Sequence, residues 1–425
     1  MESQALPPCV LIAPDPSRSP HLPIFGLCAA ERTALAFSRA GVHRFLVVGE
    51  PANAHALVSL LRTGPCRHLA VRIPESLEAA VGGDACYVAR TDCYYDRQMV
   101  ARFVEETADL PDTALAVDFR PEAKLRGATL FRAAVWTRER SARVQRVGRE
   151  LVGADGVMLG LARVTPGWSR AFDLDRDADR AWARFLEREP VQSWSVEERW
   201  HAVQSARDLS AARREVLAGA VGVGDGVVAH HLNRPISLRI TQRLLAGNVK
   251  PWQVSVASFG MTLAAGLCFA TGHAMTGGVV AQSASILNGV DDELARVRYQ
   301  DSPFGGLYDA LLDRVGDAAV IGGMTLYAWL MGAGALAVML GFAAVAGSSL
   351  SMLVKEKYGT QYRRPWAADR EGRWRWLLLG RDGRLFLTLV AGITGQVELV
   401  LAYLAVGTHV HAGARIVQIR AEAST

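Results

Sequence analysis

The stretch LNGVDDELARVRYQDSPFGGLYDALLDRVGDAA, residues 287–319, decides how this chain is read. It lies in an apolar half of the sequence, yet it carries Asp291, Asp309 and Asp313 at helical spacing. Charge in hydrocarbon is costly, so carboxylates inside apolar spans are functional candidates. The i, i+3, i+7 spacing puts Asn288, Asp291 and Ala295 on one face of a first helix. Asp309 and Asp313 are i, i+4 on a second helix, with Gly305 one turn earlier. Two antiparallel helices joined by a short loop bring three carboxylates and an amide oxygen together. Hard oxygen donors of this kind call for Mg²⁺, Mn²⁺ or Ca²⁺ rather than zinc. Gly305 would let a ligand approach the helix backbone.

Around this stretch, apolar spans are predicted at 252–274, 277–294, 303–329 and 332–353. Residues 384–414 read as one long helix or as two. A break at GITGQVE keeps Glu398 at an interface and gives spans of 376–394 and 397–414, six in all. The connections TGHAMTGG, LMGAGA and GITGQVE contain no Lys or Arg, and the basic clusters fall on the other side. That pattern predicts a multi-pass membrane protein with both termini cytoplasmic. Before the first span, Ile236, Ile240, Leu244 and Leu245 share a face beside Arg239 and Arg243, which suits a helix lying in the headgroup layer or a plain linker helix. The chain has 425 residues and a net charge of +5. Its mean hydropathy of +0.13 averages two unlike halves. The basic residues flank apolar spans, so lipid headgroups explain them better than nucleic acid.

Residues 1–230 read as soluble. CVLIAP (9–14), FLVVGE (45–50), ACYVART (85–91) and TALAVDF (113–119) are predicted strands, with helices at 28–41 and 96–108 between them. This βαβ alternation implies a mostly parallel α/β sheet. The six cysteines show no metal-ligand spacing, which fits a reduced cytoplasmic compartment. MESQALPPC lacks the form of a signal peptide. The boundaries drawn from these readings are 1–218 for the α/β domain, 219–250 for a linker with the interfacial helix, and 251–425 for an all-α transmembrane domain.

The carboxylate stretch resembles the signature of CDP-alcohol phosphotransferases, D-x2-D-G-x2-A-R-x8-G-x3-D-x3-D. Ala295–Arg296, eight residues, then Gly305, Asp309 and Asp313 fix the register. The resemblance covers about 225–418. It implies transfer of a substituted phosphate from a CDP-alcohol to an acceptor hydroxyl, lipid or inositol-phosphate-like, with release of CMP, in phospholipid or inositol-phosphate-type biosynthesis. It implies Mg²⁺ or Mn²⁺ held by Asn288, Asp291, Asp309 and Asp313, with Asp313 as general base. It implies CDP contacts from Asp291, Asp292, Ala295, Arg296 and Gly305, and a homodimer in a bacterial or archaeal cytoplasmic membrane. Lys355, Lys357, Arg363 and Arg364 are candidates for an acceptor phosphate or anionic headgroups, or simple positive-inside anchors. Two positions depart: the first Asp of the signature is Asn288, and its Gly is Asp292. Weakened activity, or a pseudoenzyme acting as a membrane scaffold or regulatory partner, is the competing reading. An ion transporter fits less well, because the carboxylates sit at one membrane face.

The first half resembles the Rossmann-like nucleotidyltransferase fold of sugar-nucleotide pyrophosphorylases, and inositol-phosphate cytidylyltransferases in particular. The fusion resembles the bifunctional branch that joins such a domain to di-inositol-phosphate-phosphate synthesis. YVARTDCYYDRQMV places Asp92 where the family has a metal-binding Asp, and ERWHAVQSARDL aligns with a late acidic motif. The departures are again specific. The first loop, LIAPDPSRSPHLP, carries prolines that remove backbone donors. The family's lysine before its "PL" stretch is absent, and Ala202 and Gln204 stand at the two aspartate positions. These departures predict a degenerate domain that has lost cytidylyltransfer.

Overall fold

The computed structural model describes residues 6–14, 22–123, 132–136, 143–148, 154–175, 182, 185, 189–222, 224–362 and 366–423. The chain divides into two compact units, Met1–Gly219 and Ala220–Thr425.

The first unit contains β1 (Cys9–Ile12), α1 (Ala29–Arg39), β2 (Arg44–Val48), α2 (Pro51–Leu61), β3 (Ala70–Arg72), α3 (Leu77–Val81), β4 (Cys86–Arg90), β5 (Cys93–Tyr95) and α4 (Arg97–Thr107). These are followed by β6 (Thr113–Asp118), β7 (Arg132–Trp136), β8 (Arg143–Gly148), β9 (Gly156–Val164), α5 (Pro166–Asp175), β10 (Val191–Ser195), β11 (Trp200–Ala202) and α6 (Leu209–Gly219). Among the described residues, nine strands form one sheet in the order β3-β2-β1-β4-β9-β6-β10-β8-β7. β1 pairs in parallel with β2 and β4, β2 with β3, and β6 with β10. β9 runs antiparallel between β4 and β6, so the sheet is mixed where the sequence suggested mostly parallel. The strands β1, β2, β4 and β6 are almost wholly buried, which is why their sequences are near-continuous apolar runs. Leu77 and Val81 of α3 and Trp168 and Phe172 of α5 close over Val10, Leu46, Val88 and Leu115 to make the core.

The second unit is all helix: α7 (Arg234–Leu244), α8 (Pro251–Ala270), α9 (Ala274–Val297), α10 (Pro303–Ala328), α11 (Gly334–Tyr362), α12 (Arg381–Thr394) and α13 (Val397–Ala423). Residues 384–414 are therefore two helices, broken at Gly395, whose φ of +72° suits glycine. Three stretches are long and apolar enough to cross a membrane: Pro251–Ala270, Pro303–Tyr362 and Val397–Ala423. The middle one is α10 and α11 joined by a kink at Gly332 and Gly334. α9 falls short by that measure because its glycines and the polar Gln282, Asn288 and Asp291 lower its hydropathy, and α12 because its 14 residues span only about 21 Å. Both pack against other helices of the unit, α9 on α8 and on α12.

Glycines set the spacing of this bundle. A Cβ on Gly323 of α10 would lie 2.1 Å from the carbonyl oxygen of Gly266 in α8, and one on Gly392 of α12 would lie 2.3 Å from that of Ala274 in α9. Small residues let backbones meet where hydrophobic driving force is weak. The small-residue stripe of α11 is used in the same way within the chain. Gly341 packs against Thr325 of α10, and Gly347 against Thr408 of α13. The face that α11 leaves exposed carries Leu336, Met339 and Phe342.

Candidate functional site

α9 and α10 are consecutive helices joined by residues 298–302, and both pack on α8. Ser302 caps α10 by accepting from the Gly305 N–H at 3.0 Å, with Pro303 in the first turn. This start fixes the register that places Asp309 and Asp313 on the inner side of α10. Facing them, Asn288, Gly289 and Asp292 of α9 line the same cleft, of ≈ 250 Å³. Its other walls include Asp225, Arg234, Lys355, Glu371, Arg381 and Arg415.

Asp309 makes no hydrogen bond or ion pair among the described residues, and neither does Asn288; both are half-buried. Asp313 is paired with Arg381, Nη2 to Oδ1 at 2.8 Å. Arg381 also reaches Asp317 at 3.3 Å, and Asp317 takes a second guanidinium from Arg384 at 2.6 Å. Asp317 is thus the buried anchor of the arginine beside Asp313.

Asp291 is buried and does not line the cleft. Its Oδ2 accepts from Ser255 Oγ of α8 at 2.5 Å, and its Oδ1 from the Asp292 N–H at 2.7 Å. Asp292 faces the cleft and pairs with Arg296 at 2.7 Å, while Arg296 also donates to the Ala220 carbonyl. Ala295 and Gly305 do not line the cleft, and Gly305 sits exposed at the start of α10. Lys355 lines the cleft and donates to the Gly224 carbonyl at 3.2 Å, whereas Lys357 is exposed away from it. Arg363 and Arg364 lie outside the described residues.

Several cleft residues were not singled out from the sequence. Arg234 forks onto Asp225, Nε and Nη2 at 2.6 and 2.9 Å, and its Nη1 reaches Glu293 at 2.7 Å. Burial opposes the charge of Arg234, but these carboxylates hold its pKa above the usual arginine value. Glu371, in the segment before α12, meets Arg415 Nε at 3.1 Å and His411 at 3.5 Å. Burial pushes the Glu371 carboxyl up, but the neighbouring His411 ring and the Arg415 guanidinium outweigh it and bring it to about 2. The available signal was the run of charges, Arg381, Asp382, Arg384 and Arg415, in or beside apolar helices.

Among the described residues, no three His, Cys, Asp or Glu side chains form a ready-made metal cage. The donor set still fits a hard divalent cation. Three of its oxygens, one on Asn288 and two on Asp309, have no hydrogen-bond partner among the described residues, and they line one cleft with the carboxylates of Asp292 and Asp313.

A bundle of apolar helices with an acidic cleft between two of them, preceded by an α/β unit, defines a membrane-embedded transferase class. Residues 250–411 match the sequence profile of the CDP-alcohol phosphatidyltransferases. The "Bifunctional IPC transferase and DIPP synthase" of Rubrobacter xylanophilus is 31% identical over 399 residues, covering 88% of this chain and 85% of that protein. The chain belongs to the CDP-alcohol phosphatidyltransferase family. The archaetidylinositol phosphate synthase of Pyrococcus horikoshii is 31% identical over 88 residues, 21% of this chain and 47% of that one. Among solved structures, the inositol-1-phosphate CTP transferase from T. maritima aligns over 50% of this chain and 95% of its own, with 13% identity and a TM-score of 0.41.

Proposed function

We propose that the second unit transfers a substituted phosphate from a CDP-alcohol to the hydroxyl of an inositol-phosphate-like or lipid acceptor, releasing CMP. The observation that carries this reading is the shared cleft of Asn288, Asp292, Asp309 and Asp313 in a chain of this family. Asn288, Asp309 and Asp313, which line the cleft, are the proposed holders of Mg²⁺ or Mn²⁺, and Asp291 joins them only by turning from Ser255, which holds it outside the cleft. When bound, the ion supplies charge neutralisation for the pyrophosphate. Asp313 takes the proton of the acceptor hydroxyl. That oxygen bonds to the phosphorus nearer the alcohol, the bond from that phosphorus to the bridging oxygen breaks, and CMP leaves. Arg381 keeps one oxygen of Asp313 occupied and so fixes how the other is presented. Arg296, with Asp292, Ala295 and Gly305, is assigned to the nucleotide side. Lys355 is assigned to a phosphate on the acceptor, and Lys357 to anionic headgroups.

The protein is read as a multi-pass homodimer whose termini and first unit lie on the cytoplasmic side, and the first unit is read as having lost cytidylyltransfer. Asp313→Asn should abolish CMP release by removing the base, a loss of about 10²–10⁴-fold or more, while thermal unfolding in detergent stays near that of the parent. Unchanged turnover would sink the assignment.

The pairs Asp313–Arg381 and Asp292–Arg296 favour a second reading, a scaffold whose carboxylates are satisfied by its own arginines. Calorimetric titration with Mn²⁺ and then CDP separates the two: an enzyme binds both, and a scaffold shows no heat at millimolar metal.

A further inference from the structure

Asp92 stands where a nucleotidyltransferase-like domain is expected to hold a divalent cation, and the structure fills that place with protein. β4 ends at Arg90, and the guanidinium folds forward onto the carboxylate two residues on. Nε donates to Oδ1 at 2.9 Å and Nη2 to Oδ2 at 2.6 Å. Gln204 Nε2 adds a third hydrogen bond to Oδ2 at 3.3 Å. Asp92 is 4% exposed. A fork of two parallel N–H groups is the geometry in which guanidinium binds carboxylate most specifically.

The arrangement is built into the sheet. Gly160 of β9 has φ +73°, and a Cβ there would lie 2.3 Å from Cδ and 2.5 Å from Cγ of Arg90. The arginine stem occupies the room which that missing side chain leaves. Burial raises the Asp92 carboxyl, but the charge and hydrogen bonds of Arg90, with Gln204, hold it below the usual carboxylate range. The late motif brings no acid at positions 202 and 204, and its remaining one, Asp208, accepts from the backbone N–H groups of Gln204 and Ser205. Ala202 has no donor atom, and Gln204 turns its amide N–H toward Asp92 rather than an oxygen toward a cation.

We propose that Arg90 and Gln204 stand in place of a divalent ion on Asp92, so that the first unit makes no CDP-alcohol and the donor comes from a separate CTP-consuming nucleotidyltransferase. The step missing from this chain is attack by an alcohol-phosphate oxygen on the α-phosphorus of CTP. The bond from that phosphorus to the oxygen bridging to the β-phosphate breaks, and pyrophosphate leaves with the added charge. With Oδ1 and Oδ2 both bonded to Arg90 and Oδ2 also to Gln204, Asp92 could take a cation that neutralises the leaving pyrophosphate only by displacing the guanidinium. The inference rests on the CDP-alcohol reading of the second unit for the identity of the donor alone.

The test uses the purified full chain in detergent with MgCl₂. A panel of CDP-alcohols is first scored for CMP release with inositol phosphate and with lipid acceptors. The same donors are then incubated with labelled pyrophosphate, and labelled CTP is measured, with the Rubrobacter xylanophilus relative as positive control. Labelled CTP is expected to form at least 10³-fold more slowly than in the control; formation at the control's rate overturns the proposal. Mn²⁺ bound per chain is counted by electron paramagnetic resonance for the parent and for Asp92→Asn. Equal counts support the proposal, and the loss of one ion overturns it. If no donor releases CMP, the reading of the second unit fails, while the pyrophosphate and Mn²⁺ measurements still decide the first unit.

Discussion

Asn288 and Asp292 redistribute charge within one turn of α9. Asn288 offers an amide oxygen and no charge, and Asp292 brings a carboxylate into the same cleft already paired with Arg296. Asn288→Asp with Asp292→Gly should therefore strengthen Mn²⁺ binding and raise CMP release together, measured by calorimetry and turnover on one preparation; a fall in both would mean the present pair is the working one. At Glu371, the folded-state carboxyl lies at about 2, below the roughly 4.3 of an unfolded chain. The stability it contributes is fully present above the unfolded value and is lost as pH falls toward 2. Glu371→Gln should lack that acid loss, so the difference in melting temperature between parent and variant should shrink from pH 5 to pH 2. At this scale the sequence told only part of the site. From Asn288, Asp291 lies about 60° to one side of the helix and Asp292 about 40° to the other. Spacing alone does not say which flank meets the cleft. Ser255 of α8 settles it by drawing Asp291 away, and a partner so distant in sequence leaves no local trace.

Among the elements, those with a strong local period were legible and their partners were not. The strands around residues 9, 45, 86 and 113 and the helices α1 and α4 fall where alternation and apolar runs put them, whereas α2 and α3 were not read from the sequence. Nothing in GVMLGLARV announces that β9 enters the middle of the sheet antiparallel, because pairing direction is set by chain path rather than by side-chain pattern. The bundle glycines show the same limit. Gly266 and Gly323 read as ordinary glycines of apolar helices, yet they hold α8 and α10 at backbone contact. Gly323→Leu should push these helices apart at a cost of about 1–3 kcal/mol or more, seen as a fall in the yield of monodisperse protein. Gly322→Leu is the control, since a Cβ there meets nothing.

For the whole molecule, the proposed orientation rests on where Lys and Arg are missing and is open to direct test. In a chain with Cys268→Ser, the turn residue Gln396 changed to Cys should react with an impermeant maleimide on intact cells. Lys357→Cys should react only after permeabilisation; the reverse result inverts the topology. Light scattering of the same preparation in mild detergent should give twice the chain mass of 45.9 kDa. The small residues of α11 are already engaged by α10 and α13, so a second copy would have to meet larger side chains such as Leu336 and Phe342.

The helix α7 is held by a polar face. Its exposed side carries Ile236 with Arg239, Gln242 and Arg243, and on its inner side Arg234, Ser237 and Thr241 converge on Glu293, which is 0% exposed. Lifting α7 from the bundle would strand a carboxylate with no solvent to receive it. The surface helix and the acidic helix α9 are therefore tied together at Glu293 and again at the backbone of Gly289, which Arg234 also holds, so a change that loosens α7 is felt at the cleft wall.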